Sequence, residues 1–307
     1  MDSNFDWKNY RINKYPMFAQ YLLLAGTVLL SLMVFQGVGF LVLGAKYGIN
    51  NLMEAMQNPL QNMQYMNAIK WLQLIYSIGA FGLSALLIAG LKRPNPLDYL
   101  QAKKNINLEM VFYGIVLMTI ALPLINTTMY YNEQIHFGAL DNFFRKMELQ
   151  DADLTKAFLN VHTWKGLLFN VFIIGLVAAV VEEFLFRGVL QNMLNESFKN
   201  IHVSIFITAA LFSAIHMQFL GFIPRMLMGV ALGYMYAYSG NILTNIAAHF
   251  FNNASQVVIA YFFYNNMTTM DMDKVEAPNW LATIASAVMM IVLIIWMKKR
   301  SEKLFLV

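Results

Sequence analysis

Apolar runs of 18 or more residues, separated by short polar segments, constrain this chain more than any other feature. Each run is long enough for a helix to cross a hydrocarbon core about 30 Å thick. They place helices near residues 16–45, 69–91, 108–128, 164–194, 201–219, 222–239, 241–264 and 279–297. The expected fold is therefore all-α, a polytopic membrane helix bundle with about eight transmembrane helices, because backbone polar groups in lipid must be satisfied within each segment. Composition agrees: the 307 residues are 59% hydrophobic and 12% charged, against roughly 25% charged in soluble domains. The first run is about 30 residues long, beyond the roughly 7–15 of a signal-peptide core, so it is expected to remain uncleaved.

The formal net charge of +4 is unevenly placed. Lys92, Arg93, Lys199, Lys298, Lys299 and Arg300 fall on one side of the expected membrane, whereas the longest segments on the other side, about 128–163 and 265–278, include Glu133, Asp141, Glu148, Asp151, Asp153 and Glu276. The positive-inside bias predicts an integral protein, of a bacterial cell membrane, with both termini cytoplasmic. Its surroundings are membrane lipids. No basic groove offers itself to nucleic acid, and the absence of cysteine excludes disulfides, cysteine metal sites and thiol nucleophiles. Three regions follow: a leader, three helices and an outer loop over 1–163; a core over 164–264 that gathers the unusual polar residues; and a last helix with a basic tail over 265–307.

The core opens with VVEEFLFRGVL, two carboxylates and a guanidinium in a run that otherwise reads as membrane-spanning. Glu183 and Arg187 are four apart, share a helix face and can pair. Glu182 points about 100° away with no partner in its own helix. An unpartnered charge at mid-bilayer costs at least ~2.5–3.5 kcal/mol, so Glu182 must face protein or water. Gly188 permits close helix approach or a local break. The competing interpretation is a polar knot that only fixes packing.

Two histidines sit in later apolar runs, His216 in FSAIH and His249 in HFFNN. Glu182 and His216 are equidistant from residue 199, in the turn ESFKNIH, so a helical hairpin would bring them to one level. His249 shares a face with Asn253, four residues on, while Asn252 is three away, and spacing leaves the choice between the asparagines open. A count of 1.5 Å per residue leaves His216 and His249 roughly 10 Å apart along the membrane normal, a gap that tilt or an irregular helix at 222–239 must close. His202 reads as an interface residue beside Lys199. His136 and His162, in the outer loop, have no assigned role.

Such a set suits hydrolysis. A carboxylate in a low-dielectric pocket can act as general base on water. Neutral imidazoles can orient that water or, with Glu182, hold a divalent metal such as zinc through Glu182, His216 and His249. An asparagine amide can donate to a developing oxyanion. A peptide bond is the most natural target. Neither Gly-x-Ser-x-Gly around a serine nucleophile nor HExxH is present.

EEFLFRG, FSAIH and HFFNN, in that order, resemble the EExxxR, FxxxH and HxxxN motifs of the CPBP intramembrane proteases, the Abi-like group of CAAX prenyl and bacteriocin-processing enzymes. The resemblance covers about 164–260. It implies that Glu182 activates water with His216, that His249 and Asn253 bind the oxyanion, and that Glu183, Arg187 and Phe212 organise the site. It also implies an eight-helix bundle, a cavity open to the cytoplasmic side, and a peptide or protein substrate with or without a prenyl group. Two other classes compete: a non-catalytic scaffold or immunity-type binding protein, and a proton-coupled transporter, against which stands the lack of internal repeats.

Overall fold

The computed structural model describes residues 10–103, 105–270 and 275–305. Lys104 and part of the acidic 265–278 segment, including Asp271 and Asp273, lie outside the described residues. No strand occurs among those described. Ten helices order the chain: α1 Met17–Tyr47, α2 Ile49–Gln57, α3 Met63–Lys92, α4 Leu108–Asn132, α5 Asp141–Leu159, α6 Trp164–Phe198, α7 Ile201–Ala214, α8 Phe222–Ser239, α9 Ile242–Tyr264 and α10 Trp280–Phe305. A polytopic helical membrane bundle results.

A helix stands at each of the eight expected positions. Among the described residues, six are long and apolar enough to cross a membrane: α1, α3, α4, α6, α8 and α10. The other two differ for separate reasons. α7 stops after 14 residues, and α9 carries Asn245, His249, Asn252 and Asn253, polar groups that α4, α6 and α8 enclose. α1 and α10 instead turn Leu29, Met33, Leu41, Leu281 and Ile291 outward, the side chains a lipid-facing surface requires.

Local chemistry sets the boundaries. Asn107, Asn200 and Asn241 cap α4, α7 and α9 by accepting from backbone N–H groups of the first turn. Gly48 at φ 84° ends α1 and Gly240 at φ 58° ends α8, the left-handed region that glycine enters without steric cost.

Close helix approach, more than apolar burial, must drive packing inside lipid. α8 carries Gly229 and Gly233, a Gly-x-x-x-Gly spacing, against α7. A Cβ on Gly229 would lie 3.1 Å from the Ala209 Cα, and one on Gly233 2.7 Å from Ile205 Cγ2. α6 exploits the exposed carbonyls of the same two glycines: Arg187 Nη2 donates to Gly229 at 3.3 Å and Gln191 Nε2 to Gly233 at 3.1 Å.

α5, the amphipathic piece of the long 128–163 segment, folds back over the bundle. Its end is tied down from two sides, since Lys70 Nζ and Asn170 Nδ2 each donate to the Phe158 carbonyl at 2.8 Å. α2, α5 and the 215–221 turn share one end of the bundle. Lys92, Arg93, Lys199 and Arg300 mark the opposite end.

Candidate active site

α6 is not a uniform α-helix. Val171–Val177 and Phe184–Gln191 are π-helical, and Ala178–Glu183 is the α-helical turn between them. Wide turns of this kind alter the angular spacing of side chains and recur at functional sites. Both carboxylates sit at the end of that short turn. Gly188 lies in the second π segment, and a Cβ there would meet Leu100 and Ile242 within 3.0 Å, so it provides both the close approach and the break.

Glu183 is fully buried and saturated with donors. Its Oε1 accepts from Arg187 Nη1 at 2.7 Å and from His249 Nδ1 at 2.9 Å; its Oε2 accepts from Asn245 Nδ2 at 3.1 Å. Arg187 is equally buried, with its guanidinium 4.7 Å from the centre of the Phe212 ring. The i,i+4 pair anticipated from spacing therefore exists as the centre of a wider network.

Glu182 points elsewhere. Its side chain is 16% exposed where Glu183 is 0%, and it lines a cavity of about 540 Å³ between α1, α3 and α6 together with His216, Gln73, Tyr76, Phe81 and Phe186. The nearest charged contact is His249 Nε2 at 3.8 Å from Oε2. His249 thus bridges the two glutamates, one ring nitrogen towards each.

His216 reaches the cavity from the turn after α7. Its Nδ1 lies 2.8 Å from the Phe212 carbonyl; a carbonyl only accepts, so Nδ1 carries the proton and Nε2 is left as an acceptor. Phe212 neighbours both imidazoles, at 5.1 Å from His216 and 6.3 Å from His249 between ring centres. The expected depth gap closes because α7 ends at Ala214, not because α8 is irregular. Met217 adopts φ 56°, and the turn is clasped by Asn132 donating to the Phe219 carbonyl at 2.7 Å and Glu148 accepting from Leu220 N at 3.3 Å.

Asn253 is half-buried and donates to the Ile174 carbonyl, inside the first π segment, at 3.2 Å. Asn252 is buried and donates to Asn253 Oδ1 at 3.2 Å. Neither asparagine lines the Glu182 cavity. The structure therefore brings together Glu182, Glu183, Arg187, Phe212 and His249, sets His216 on the same cavity as Glu182, and leaves Asn253 against the backbone of α6. His202 pairs with Tyr234 at 2.8 Å and His162 with Asn265 at 3.3 Å, both away from this cluster.

The metal set does not assemble. Among the described residues no three His, Cys, Asp or Glu side chains are arranged to hold a metal ion, and of Glu182, His216 and His249 only the Glu182–His249 contact is close.

Asn245, Tyr76 and Gln73 were not anticipated. Asn245 lies four residues before His249 on the same helix face, a spacing that could have revealed it; Tyr76 and Gln73 come from a distant helix and carry no local signal. The cavity also lies towards the α2 and α5 end of the bundle.

Residues 164–255 match the family model described as type II CAAX prenyl endopeptidase Rce1-like. A curated relative, the uncharacterized protein YpbD of Bacillus subtilis (strain 168), is 32% identical over 89 residues, which is 28% of this chain. The chain spans 42% of that relative's length. No solved structure matches. The matched span holds both glutamates, both site histidines and Asn253, so over residues 164–255 this chain is similar to the Rce1-like type II CAAX prenyl endopeptidases.

Proposed function

We propose that this chain is an intramembrane endopeptidase that hydrolyses a peptide bond with a water activated by Glu182. The observation that carries the reading is the pairing of Glu182 and His216 on one cavity wall, with His249 behind Glu182. Glu182 is the only one of the two adjacent carboxylates with a face towards that cavity, so it is the one able to take a proton from water. His216, with Nδ1 committed to Phe212, offers Nε2 to hold the same water. The attacking oxygen gains a carbon bond, the carbonyl becomes an oxyanion, and the proton on Glu182 passes to the departing amine as the carbon–nitrogen bond breaks. His249, between the two glutamates, turns Nε2 towards the oxyanion; Asn253 shares that role if its amide leaves the Ile174 carbonyl. Because three metal donors do not converge, the proposed step uses protein groups alone. The similarity over 164–255 supports a CAAX-type processing activity on a membrane-associated peptide, prenylated or plain; bacteriocin-related processing rests on the motif resemblance alone.

The test is cleavage of prenylated and plain fluorogenic peptides by purified wild type and Glu182→Ala, with and without chelator. Loss in the variant with retained folding is the expected result, unchanged by chelation. Loss on chelation would restore a metal, and a folded wild type inert on every peptide would favour a scaffold. We further propose cytoplasmic termini, which puts the cavity on the outer half of the membrane. A chain without native cysteine permits a direct check: single cysteines at Thr155 and Asn195 in spheroplasts should be labelled by an impermeant maleimide at 155 and protected at 195, and the reverse pattern would invert the topology.

A further inference from the structure

A second lobe, about 300 Å³, joins the Glu182 cavity at Met56, Gln73, Tyr76 and His216. The two lobes differ in chemistry. The first is walled mostly by apolar side chains of α1, α3 and α6, among them Val28, Leu32, Leu74 and Val177. The second lies under α5 and presents Asp151, Thr155 and Gln218 next to His216.

Gln218 is held in place by Arg225, whose Nη1 donates to the Gln218 carbonyl at 3.3 Å and whose Nη2 donates to Gln218 Oε1. With its oxygen turned to Arg225, the Gln218 amide keeps its nitrogen as a donor on the lobe that Asp151 also lines. Arg225 is thereby directed at Gln218 and forms no direct ion pair with Asp151 among the described residues. Glu148 and Glu182 also act on Arg225, so the charge of this one guanidinium is shared among three carboxylates. Burial raises the proton affinity of Asp151 above the ordinary aspartate value, against Gln218 and Arg225; an incoming cation would favour the charged form.

A peptide with its scissile bond at Glu182 and His216 would place one flank in each lobe. We infer that the lobe under α5 is a specificity subsite for a lysine or arginine side chain on one flank of the scissile bond, with Asp151 as its carboxylate, while the apolar lobe takes a large apolar residue on the other. This rests on the endopeptidase reading for the position of the scissile bond, but the subsite can be tested by binding alone.

The probes are two labelled peptides, identical and apolar on one flank, with lysine or glutamate on the other. Their affinities are measured by fluorescence anisotropy on Glu182→Gln protein and on the same protein with Asp151→Lys. The lysine peptide should bind about tenfold more tightly than the glutamate peptide, and Asp151→Lys should reverse the order. Equal binding of the two peptides, or an order unmoved by Asp151→Lys, overturns the subsite. If the lysine variant does not fold, Asp151→Asn, which keeps the side-chain shape and removes the charge, should bring the ratio close to one, and a preserved ratio overturns the proposal equally. Cleavage of the lysine peptide by wild type is read separately: a charge preference without cleavage removes the endopeptidase reading and leaves the subsite standing, whereas cleavage without a preference does the opposite.

Discussion

Glu182 and Glu183 are neighbours in sequence and share a residue type, yet they occupy opposite environments. Glu183 sits at 0% exposure among Arg187, His249 and Asn245. Glu182 has one ion-pair contact among the described residues, with His249 at 3.8 Å, and a cavity before it. A carboxylate whose two oxygens both accept hydrogen bonds from buried donors is fixed and unavailable, while one with free lone pairs and room for water can move a proton. The helix separates the roles by pointing consecutive side chains about 100° apart.

The strongest way to break this comparison is to exchange the two losses. Glu182→Gln should reduce cleavage by roughly 10²–10⁴-fold, the span general-base catalysis covers, with a thermal midpoint close to wild type. Glu183→Ala should do the reverse in kind: it leaves Arg187 buried without a counter-charge, a change worth about 3–5 kcal/mol, read as a large fall in the thermal midpoint in detergent. Equal destabilisation by both would return Glu182 to the polar-knot interpretation.

The asparagines sharpen the comparison further. Asn253→Ala should lower cleavage about 10²-fold, at the lower edge of an oxyanion donor's effect, while Asn252→Ala stays within a few-fold; steady-state kinetics on one peptide decides. The smallest effect belongs to the opposite end of the bundle. Lys92 is buried and pairs with Glu196 at 2.6 Å, but Glu196 is 40% exposed, so Lys92→Met should cost no more than about 1 kcal/mol and leave cleavage intact. A larger loss would mean that any charge pair in this fold matters as much as that of Glu183.

How far the site was legible follows from how local each signal is. The eight helix positions were readable because hydropathy accumulates within a single segment. The Glu183–Arg187 pair was readable because i,i+4 neighbours meet on any helix. The level shared by Glu182 and His216 was readable from a turn at residue 199, where Lys199 does adopt φ 51°. The early end of α7 was not, because the run from Ile215 to Ile223 remains largely apolar, and the contacts that hold the turn come from elsewhere, among them Asn132, Glu148 and Arg225. The π segments of α6 also left no mark beyond Gly175 and Gly188.

Sequence alone thus determined that the chain is a helical membrane bundle, which carboxylate pairs within its own helix, and which three motifs resemble those of a protease family, since all of these depend on residues a few positions apart. Tertiary structure decided which carboxylate is sealed and which faces a cavity, where His216 comes to rest, and that Asp151 lines the same lobe. Those outcomes depend on side chains between 40 and more than 100 residues apart meeting through packing, and nothing in a local pattern encodes such a meeting.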